Sequence, residues 1–399
     1  MKRLIAYFIT ISLLLGCVGN AKEATAQAKI QATVKDMSGV KRKLTMDSVK
    51  HVATKLIRYN YPGEYAQVAD GHYYYMRQTG ENNRYTVYRD KGKKVGSFKY
   101  TYESPGWGYR WNAFGWHEGK LYVKFSDEDD HMIKIGVVDF KQESIKTICT
   151  CKFPASTIDV SWMDVYLYQN KIYANYVMKV KARYIRKVKE YELSSGNLLN
   201  TFSDPGLINI ADGKIYYTAY QGKGKKQIIT FRCRDMATNK DKKVFRCTVP
   251  GKSYYFDELI MKGKEIYYYR TYGEYEYTSA LAYSIPSFGG KMQQIGKGEI
   301  RNFVYSNKYY FYIDKKFRLH RQNRKTGKDK IISGIKAVKV DCTQKGLYVQ
   351  KYDKWFDKDG FEDANDDYTP ALYFMNFKGK NVKKIAKYTY GHMSYEGWW

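Results

Sequence analysis

In the stretch Asp357-Lys358-Asp359-Gly360-Phe361-Glu362-Asp363-Ala364-Asn365-Asp366-Asp367, carboxylates alternate around a glycine. Oxygen ligands in that order could wrap a hard cation, and Ca²⁺ is the cofactor they suit, with Asp357, Asp359 and Asp363 as candidate ligands. The stretch departs from an EF-hand at Phe361 and at Tyr368, which stands where a closing Glu is needed. A solvated acidic loop is the alternative. A second set is aromatic: Trp107, Trp111, Trp116, Trp162, Tyr272, Tyr275 and Trp355. Rings in loops could stack on a glycan or line a groove for an extended peptide. Signatures of catalysis are missing: there is no G-x-S-x-G elbow, H-E-x-x-H helix or P-loop. The six His, at 51, 72, 117, 131, 320 and 392, lack metal-site spacing. Carboxylate pairs for glycoside chemistry could be drawn from Asp127–Asp130 and Asp357–Asp367, so a glycoside hydrolase or polysaccharide lyase is the alternative to a binding protein.

The chain that must position these groups has 399 residues, a formal net charge of +29 and 42 Tyr. A hydrophobic content of 44% excludes a disordered tail despite the charge, and 7 Pro with 32 Gly exclude collagen-like repeats. The Lys-rich charge is dispersed along the chain, which argues against nucleic acid as a partner.

Met1-Lys2-Arg3, the apolar run Leu4 to Leu15 and the small residues after it have the three-part order of a secretory signal peptide. Ala24-Thr25-Ala26 offers a cleavage site that leaves residues 1–26 as leader. Leu14-Leu15-Gly16-Cys17 resembles a bacterial lipobox, which would lipidate Cys17 and leave residues 1–16 as leader. Either reading places the mature chain outside the cytoplasm, secreted or anchored. Cys233 and Cys247 flank an expected hairpin and could pair across it, whereas Cys149-Thr150-Cys151 has the wrong spacing for a zinc ribbon.

An internal repeat organises the rest. A turn residue followed by a Tyr-rich strand recurs at Gly71, Gly119, Asn170, Gly213, Gly263, Asn307 and Gly346, at a mean spacing of about 46 residues. Gly213-Lys214-Ile215-Tyr216-Tyr217 is representative. Around each copy lie a short apolar stretch before the turn and two further strands after it, four per period, with Gly, Asn and Asp at turns that need positive φ. A four-stranded unit of this length is the signature of a β-propeller blade. The expectation is therefore an all-β, seven-bladed β-propeller of four-stranded blades over residues 65–390, with eight blades as the lesser alternative. Residues 27–64 match no blade. They are read as a hairpin around Ser38-Gly39 and a short helix over 47–57, with 391–399 as a tail.

With these motifs in place, the chain resembles the secreted bacterial propellers of the low-density-lipoprotein-receptor YWTD-like type, in particular tyrosine-rich families with a Gly-x-Ile-Tyr-Tyr strand. Tyr216-Tyr217-Thr218-Ala219 approaches the YWTD tetrapeptide without its Trp or Asp. The resemblance implies fold and extracytoplasmic location rather than an activity.

Propeller topology sorts the loops onto two faces. Turns within hairpins, such as Lys91-Gly92-Lys93-Lys94, Asn239 to Lys243, Lys325 to Lys328 and Lys378 to Lys380, should make one face basic. The opposite face should be aromatic and acidic. The resulting expectation is a non-catalytic binding or scaffold protein of the cell surface. Its aromatic face would take a glycan or peptide, and its basic face would meet an anionic envelope polymer or lipid surface.

Overall fold

The computed structural model describes residues 51–59, 65–78, 84–100, 112–127, 131–158, 163–203, 206–221, 226–250, 255–262, 265–272, 280–285, 293–352 and 370–387. Among these residues all regular structure is strand. A first strand, β1 (Thr54–Tyr59), is followed by consecutive four-stranded antiparallel meanders. The first comprises β2 (Ala66–Ala69), β3 (His72–Gln78), β4 (Arg84–Arg89) and β5 (Lys93–Lys99), and the second β6 (Asn112–His117), β7 (Lys120–Asp127), β8 (Met132–Asp139) and β9 (Ser144–Lys152). After the short β10 (Thr157–Ile158), the third comprises β11 (Asp164–Tyr168), β12 (Lys171–Val180), β13 (Arg183–Glu192) and β14 (Leu198–Ser203). The fourth comprises β15 (Leu207–Ala211), β16 (Lys214–Gln221), β17 (Lys226–Asp235) and β18 (Asp241–Pro250). The fifth runs through β19 (Tyr255–Lys262), β20 (Glu265–Tyr272) and β21 (Ala280–Ile285) into β22 (Gln293–Tyr305). That long strand continues past a register shift to open the sixth meander, with β23 (Tyr309–Asp314), β24 (Arg318–Asn323) and β25 (Asp329–Lys336). The last comprises β26 (Lys339–Thr343), β27 (Gly346–Tyr352), β28 (Pro370–Met375) and β29 (Lys383–Lys387).

Local chemistry explains the meanders. The turn after the first strand has positive φ at both central residues in Asp70-Gly71 (50° and 74°), Glu118-Gly119 (46° and 75°) and Asp212-Gly213 (46° and 69°). That geometry matches the right-handed twist of the flanking strands, and glycine reaches it without a Cβ penalty. The turn after the third strand is set differently. Asp139, Asp235 and Asn323 end that strand, Asn376 directly follows it, and each accepts two backbone N–H bonds from the turn through Oδ1. A short acceptor side chain thereby fixes the reversal.

First strands of the first and second, third and fourth, fourth and fifth, and sixth and last meanders approach one another, as do those of the last and the first, while β1 lies between β6 and β11; this is the arrangement around a propeller axis. The core is divided into clusters held between neighbouring meanders. Tyr74, Val87, Phe98, Phe114, Leu121 and Val123 fill one such space, and Tyr166, Tyr173, Val188, Ile210 and Tyr217 another. Tyr65, Tyr73, Tyr75, Tyr166, Tyr173, Tyr267, Tyr312 and Tyr348 are all under 2% exposed, so strand tyrosines are chiefly packing material. Ring closure is of this kind too. Tyr73 of the first meander stacks on Tyr348 of the last, centroids 4.2 Å apart and planes 9° off parallel. Gln350 Nε2 donates to Tyr73 Oη at 3.4 Å. Each stacked pair adds about 1 kcal/mol to the burial of its rings.

Two expectations are corrected. The short helix over 47–57 gives way, from Thr54 onward, to strand β1. Its first half pairs with β11 (Thr54↔Leu167) and its second half with β6 (Ile57↔Phe114). Upstream, Val52 bridges Ala211 and the His51 N–H donates to Asp212 Oδ1 at 2.8 Å. These residues thus satisfy backbone groups on the inner edges of three meanders, a gain that outweighs the weak propensity of a short isolated helix. Cys233, in turn, is a free thiol. It lies opposite Lys242, while Cys247 lies opposite Ile229. An offset of four strand residues, roughly 13 Å, exceeds disulfide reach.

Candidate binding site

Most of the residues read from sequence as ligand or metal contacts (Trp107, Trp111, Trp162, Tyr275, Trp355, Asp357, Asp359 and Asp363), together with the lipidation candidate Cys17, lie outside the described residues. Tyr272 ends β20, paired in register with Tyr255. Trp116 is not a ligand contact. It is 4% exposed and stacks on Tyr74 with centroids 4.0 Å apart. Its position in β6 aims it into the cluster between the first and second meanders, where a large ring fills space that no loop residue could reach.

The sixth meander gathers the groups that sequence left scattered. Tyr312 and Asp314 are two apart on β23, and Arg318 and His320 two apart on β24, so each pair shares a strand face. The register places Tyr312 opposite His320, which puts all four on the same side of the sheet. Asp329 opens β25 beside them. The Tyr312 and His320 rings stack with centroids 4.6 Å apart. Tyr312 Oη donates to Asp329 Oδ2 at 2.9 Å. His320 Nδ1 lies 3.1 Å from that oxygen, and Nε2 lies 3.2 Å from Asp314 Oδ2. Arg318 completes the chain, donating from Nε to Asp314 Oδ2 at 2.7 Å and from its backbone N–H to Oδ1 at 2.8 Å.

Burial by itself raises the Asp314 pKa, but the Arg318 and His320 hydrogen bonds outweigh it and hold the carboxyl below its usual range. At Asp329 burial is likewise overcome, by His320 first and then Tyr312. Burial, reinforced by Asp329, pushes the Tyr312 hydroxyl up.

These side chains form one wall of a cavity of about 290 Å³ between the fifth and sixth meanders. Lys297, Glu299, Lys315 and Lys316 supply the rest of the charged lining. Two residues beyond His320 on β24, Gln322 Oε1 accepts from the Gly296 N–H at 3.0 Å. Gly296 has φ +79°, and a Cβ there would meet Tyr312 Cε2 at 3.0 Å and Ile300 Cγ2 at 2.9 Å. One polar atom remains unsatisfied: Asp329 Oδ1 is buried without a hydrogen-bond partner, on a side chain 8% exposed. Such an atom costs about 1–3 kcal/mol unless something donates to it.

Both nitrogens of His320 face carboxylates and Asp314 is clamped by Arg318, so every titratable member of the network is hydrogen-bonded and only Asp329 Oδ1 is left without a partner. The unpartnered oxygen asks for a donor, and the lysines favour an acceptor or acid at the mouth. Among the described residues, no group of three or more His, Cys, Asp or Glu is placed to hold a metal ion. Sequence reading passed over this site because His320 looks isolated. The usable signal was the doubled two-residue spacing, Tyr312-x-Asp314 followed closely by Arg318-x-His320.

No protein-family model matches the chain, and no curated protein matches it in sequence. Solved structures similar to it include the β-propeller domain of the Trilobed protease from Pyrococcus furiosus, at 12% identity and TM-score 0.47 over 86% of this chain and 98% of that one. BamB from Moraxella catarrhalis is similar at 9% identity and TM-score 0.38, over 76% of this chain and 94% of that one. Sqt1 from Saccharomyces cerevisiae is similar at 8% identity and TM-score 0.35, over 86% and 98%. The strand pairing itself identifies the architecture: an all-β chain of four-stranded meanders whose first and last members pack together, a β-propeller.

Proposed function

We propose that this chain is a seven-bladed, non-catalytic β-propeller acting outside the cytoplasm at the cell surface, where it binds a glycan. The blade number follows from the seven copies of the turn-and-Tyr motif, each heading one meander. The observation that carries the binding role is a polar cavity of sugar-ring size lined by Asp314, Arg318, His320, Asp329 and lysines. Donors and acceptors at fixed spacing are what a glycan unit offers, and Asp329, whose Oδ1 lacks a partner, is the side chain with an acceptor to spare. A hydrolase or lyase would draw on a pair of carboxyl groups, and here Asp314 and Asp329 share His320 between them, with Arg318 and Tyr312 holding one oxygen of each.

The test is a glycan array with the chain from Gln27 onward. Hits should be weakened roughly tenfold in Asp329→Asn, which turns the free oxygen toward a donor group or breaks its fixed orientation. An array without hits sinks the reading. Location is tested by metabolic labelling with a fatty acid, expected to be lost in Cys17→Ala if the chain is anchored there. The acidic stretch at Asp357, Asp359 and Asp363 is tested by calcium titration followed through Trp fluorescence.

A further inference from the structure

The hairpin of β12 and β13 outgrows its sheet. The two strands pair without interruption from Lys171↔Glu192 to Val180↔Arg183, joined by Lys181-Ala182. Their neighbours stop short: β11 pairs with β12 only as far as Asn175, and β14 with β13 only from Lys187 inward. The small strand β10 braces Val177 and Met178, and the Lys179 N–H reaches Ser156 O at 3.0 Å. Beyond that brace a two-stranded ribbon projects from the face that carries the loops between second and third strands.

Its composition is unusual for a free ribbon. Val180, Tyr184 and Ile185 are 41%, 69% and 39% exposed, among the most exposed large apolar side chains of the described residues. The register places Val180 and Ile185 on one side of the ribbon and Tyr184 on the other. Interleaved with them are Lys179, Lys181, Arg183, Arg186 and Lys187, with no Asp or Glu between Asn175 and Lys189. Sequence alone assigned the basic charge to the opposite face, whose turns also carry Asp70, Asp90, Glu118 and Asp241. The ribbon carries cations on both of its sides with no acid among them.

We infer that this ribbon docks the propeller onto an anionic phospholipid bilayer. Aliphatic and aromatic tips enter the headgroup boundary, while the surrounding cations meet lipid charge. A protein partner would need matching acids around an apolar socket. A lipid surface supplies negative charge beside hydrocarbon without prior shaping, which suits a tip apolar on both sides. Val180, Tyr184 and Ile185 are exposed in the folded chain, so the surface they would bury in the boundary is surface already open to solvent. The inference stands independently of the glycan cavity, which lies in another meander.

The test is vesicle sedimentation of the unacylated chain from Gln27. Vesicles of phosphatidylcholine alone are compared with vesicles containing one quarter phosphatidylglycerol. Wild type should sediment with the anionic vesicles only, and added salt should weaken binding. Replacing Lys181 and Arg183 by Gln should weaken partitioning about 25-fold, at about fivefold per cation. Tyr184→Ser with Ile185→Ser should weaken it at least about tenfold at any salt. All four side chains are exposed, so unchanged thermal unfolding is expected in both variants and serves as the control. Equal sedimentation of wild type and both variants would overturn the inference in favour of the turn lysines. Binding to soluble polyphosphate without binding to the anionic vesicles would overturn it in favour of a wall polymer.

Discussion

The fourth and sixth meanders build the same lock with different parts. In the fourth, Tyr217 stands opposite Arg232, and both reach Asp241 at the start of the outer strand, with Tyr217 Oη 2.6 Å and Arg232 Nε 2.9 Å from Oδ2. In the sixth, Tyr312 stands opposite His320, and both reach Asp329 at the same position. The differences lie one step along each strand. Ala219 and Thr230 of the fourth meander correspond to Asp314 and Arg318 of the sixth. A guanidinium donating to one carboxylate completes the fourth lock. An imidazole, shorter and with nitrogens on opposite sides, needs a second carboxylate and leaves a cavity where the longer side chain would lie. The Arg232–Asp241 pair is 32% and 29% exposed, against 10% and 8% for His320–Asp329. One pair fastens strands at the surface, and the other organises an interior.

That contrast can be broken most severely at the carboxylates. Asp329→Ala should cost about 3 kcal/mol, because it leaves a buried imidazole and hydroxyl without their acceptor. Asp241→Ala should cost only about 1 kcal/mol, since Arg232 can turn to water. Urea unfolding midpoints check both, and equal losses would erase the distinction. Next comes Gly296→Ala, expected to cost about 2 kcal/mol through a positive φ combined with a collision against the Tyr312 ring. Gly71→Ala, also at positive φ but with open space around it, should cost about 1 kcal/mol in the same assay.

Acid sharpens the comparison. Asp314, Asp329 and Asp241 all have pKa values lowered in the fold. Their contribution is therefore fully present above the unfolded carboxylate value of about 4, and is lost as pH falls through the lower folded values. Stability measured down the acid limb should flatten more in Asp314→Asn with Asp329→Asn than in Asp241→Asn. The smallest effect belongs to what the locks share. Tyr217→Phe and Tyr312→Phe should each cost about 1 kcal/mol, one hydrogen bond apiece, with the two values close together.

The parts legible in the sequence were those fixed by neighbours in the chain. Asp70-Gly71 and Asp212-Gly213 announce their turns because φ preference is a property of the residue itself. The Tyr-rich strand after each turn follows from that register. Trp116 was misread because ring chemistry is the same whether it meets a ligand or Tyr74. Only strand position decides between them. The His320 network was missed although its members lie within eighteen residues, because their meeting depends on which strand ends where. The basic ribbon was visible as a run of Lys and Arg, but its reach depends on how far β11 and β14 extend.

The path of β1 has a consequence for the order of assembly. Just ahead of it, the His51 N–H reaches Asp212, 161 residues further along the chain. Synthesised before the meanders it joins, this segment has its full set of partners only once the fourth meander has been made. Contacts of such long separation are entropically late, so β1 seals a ring whose blades have largely formed. A segment made before its partners is thus the last to lock, and its docking reports that the molecule is complete through its first four blades.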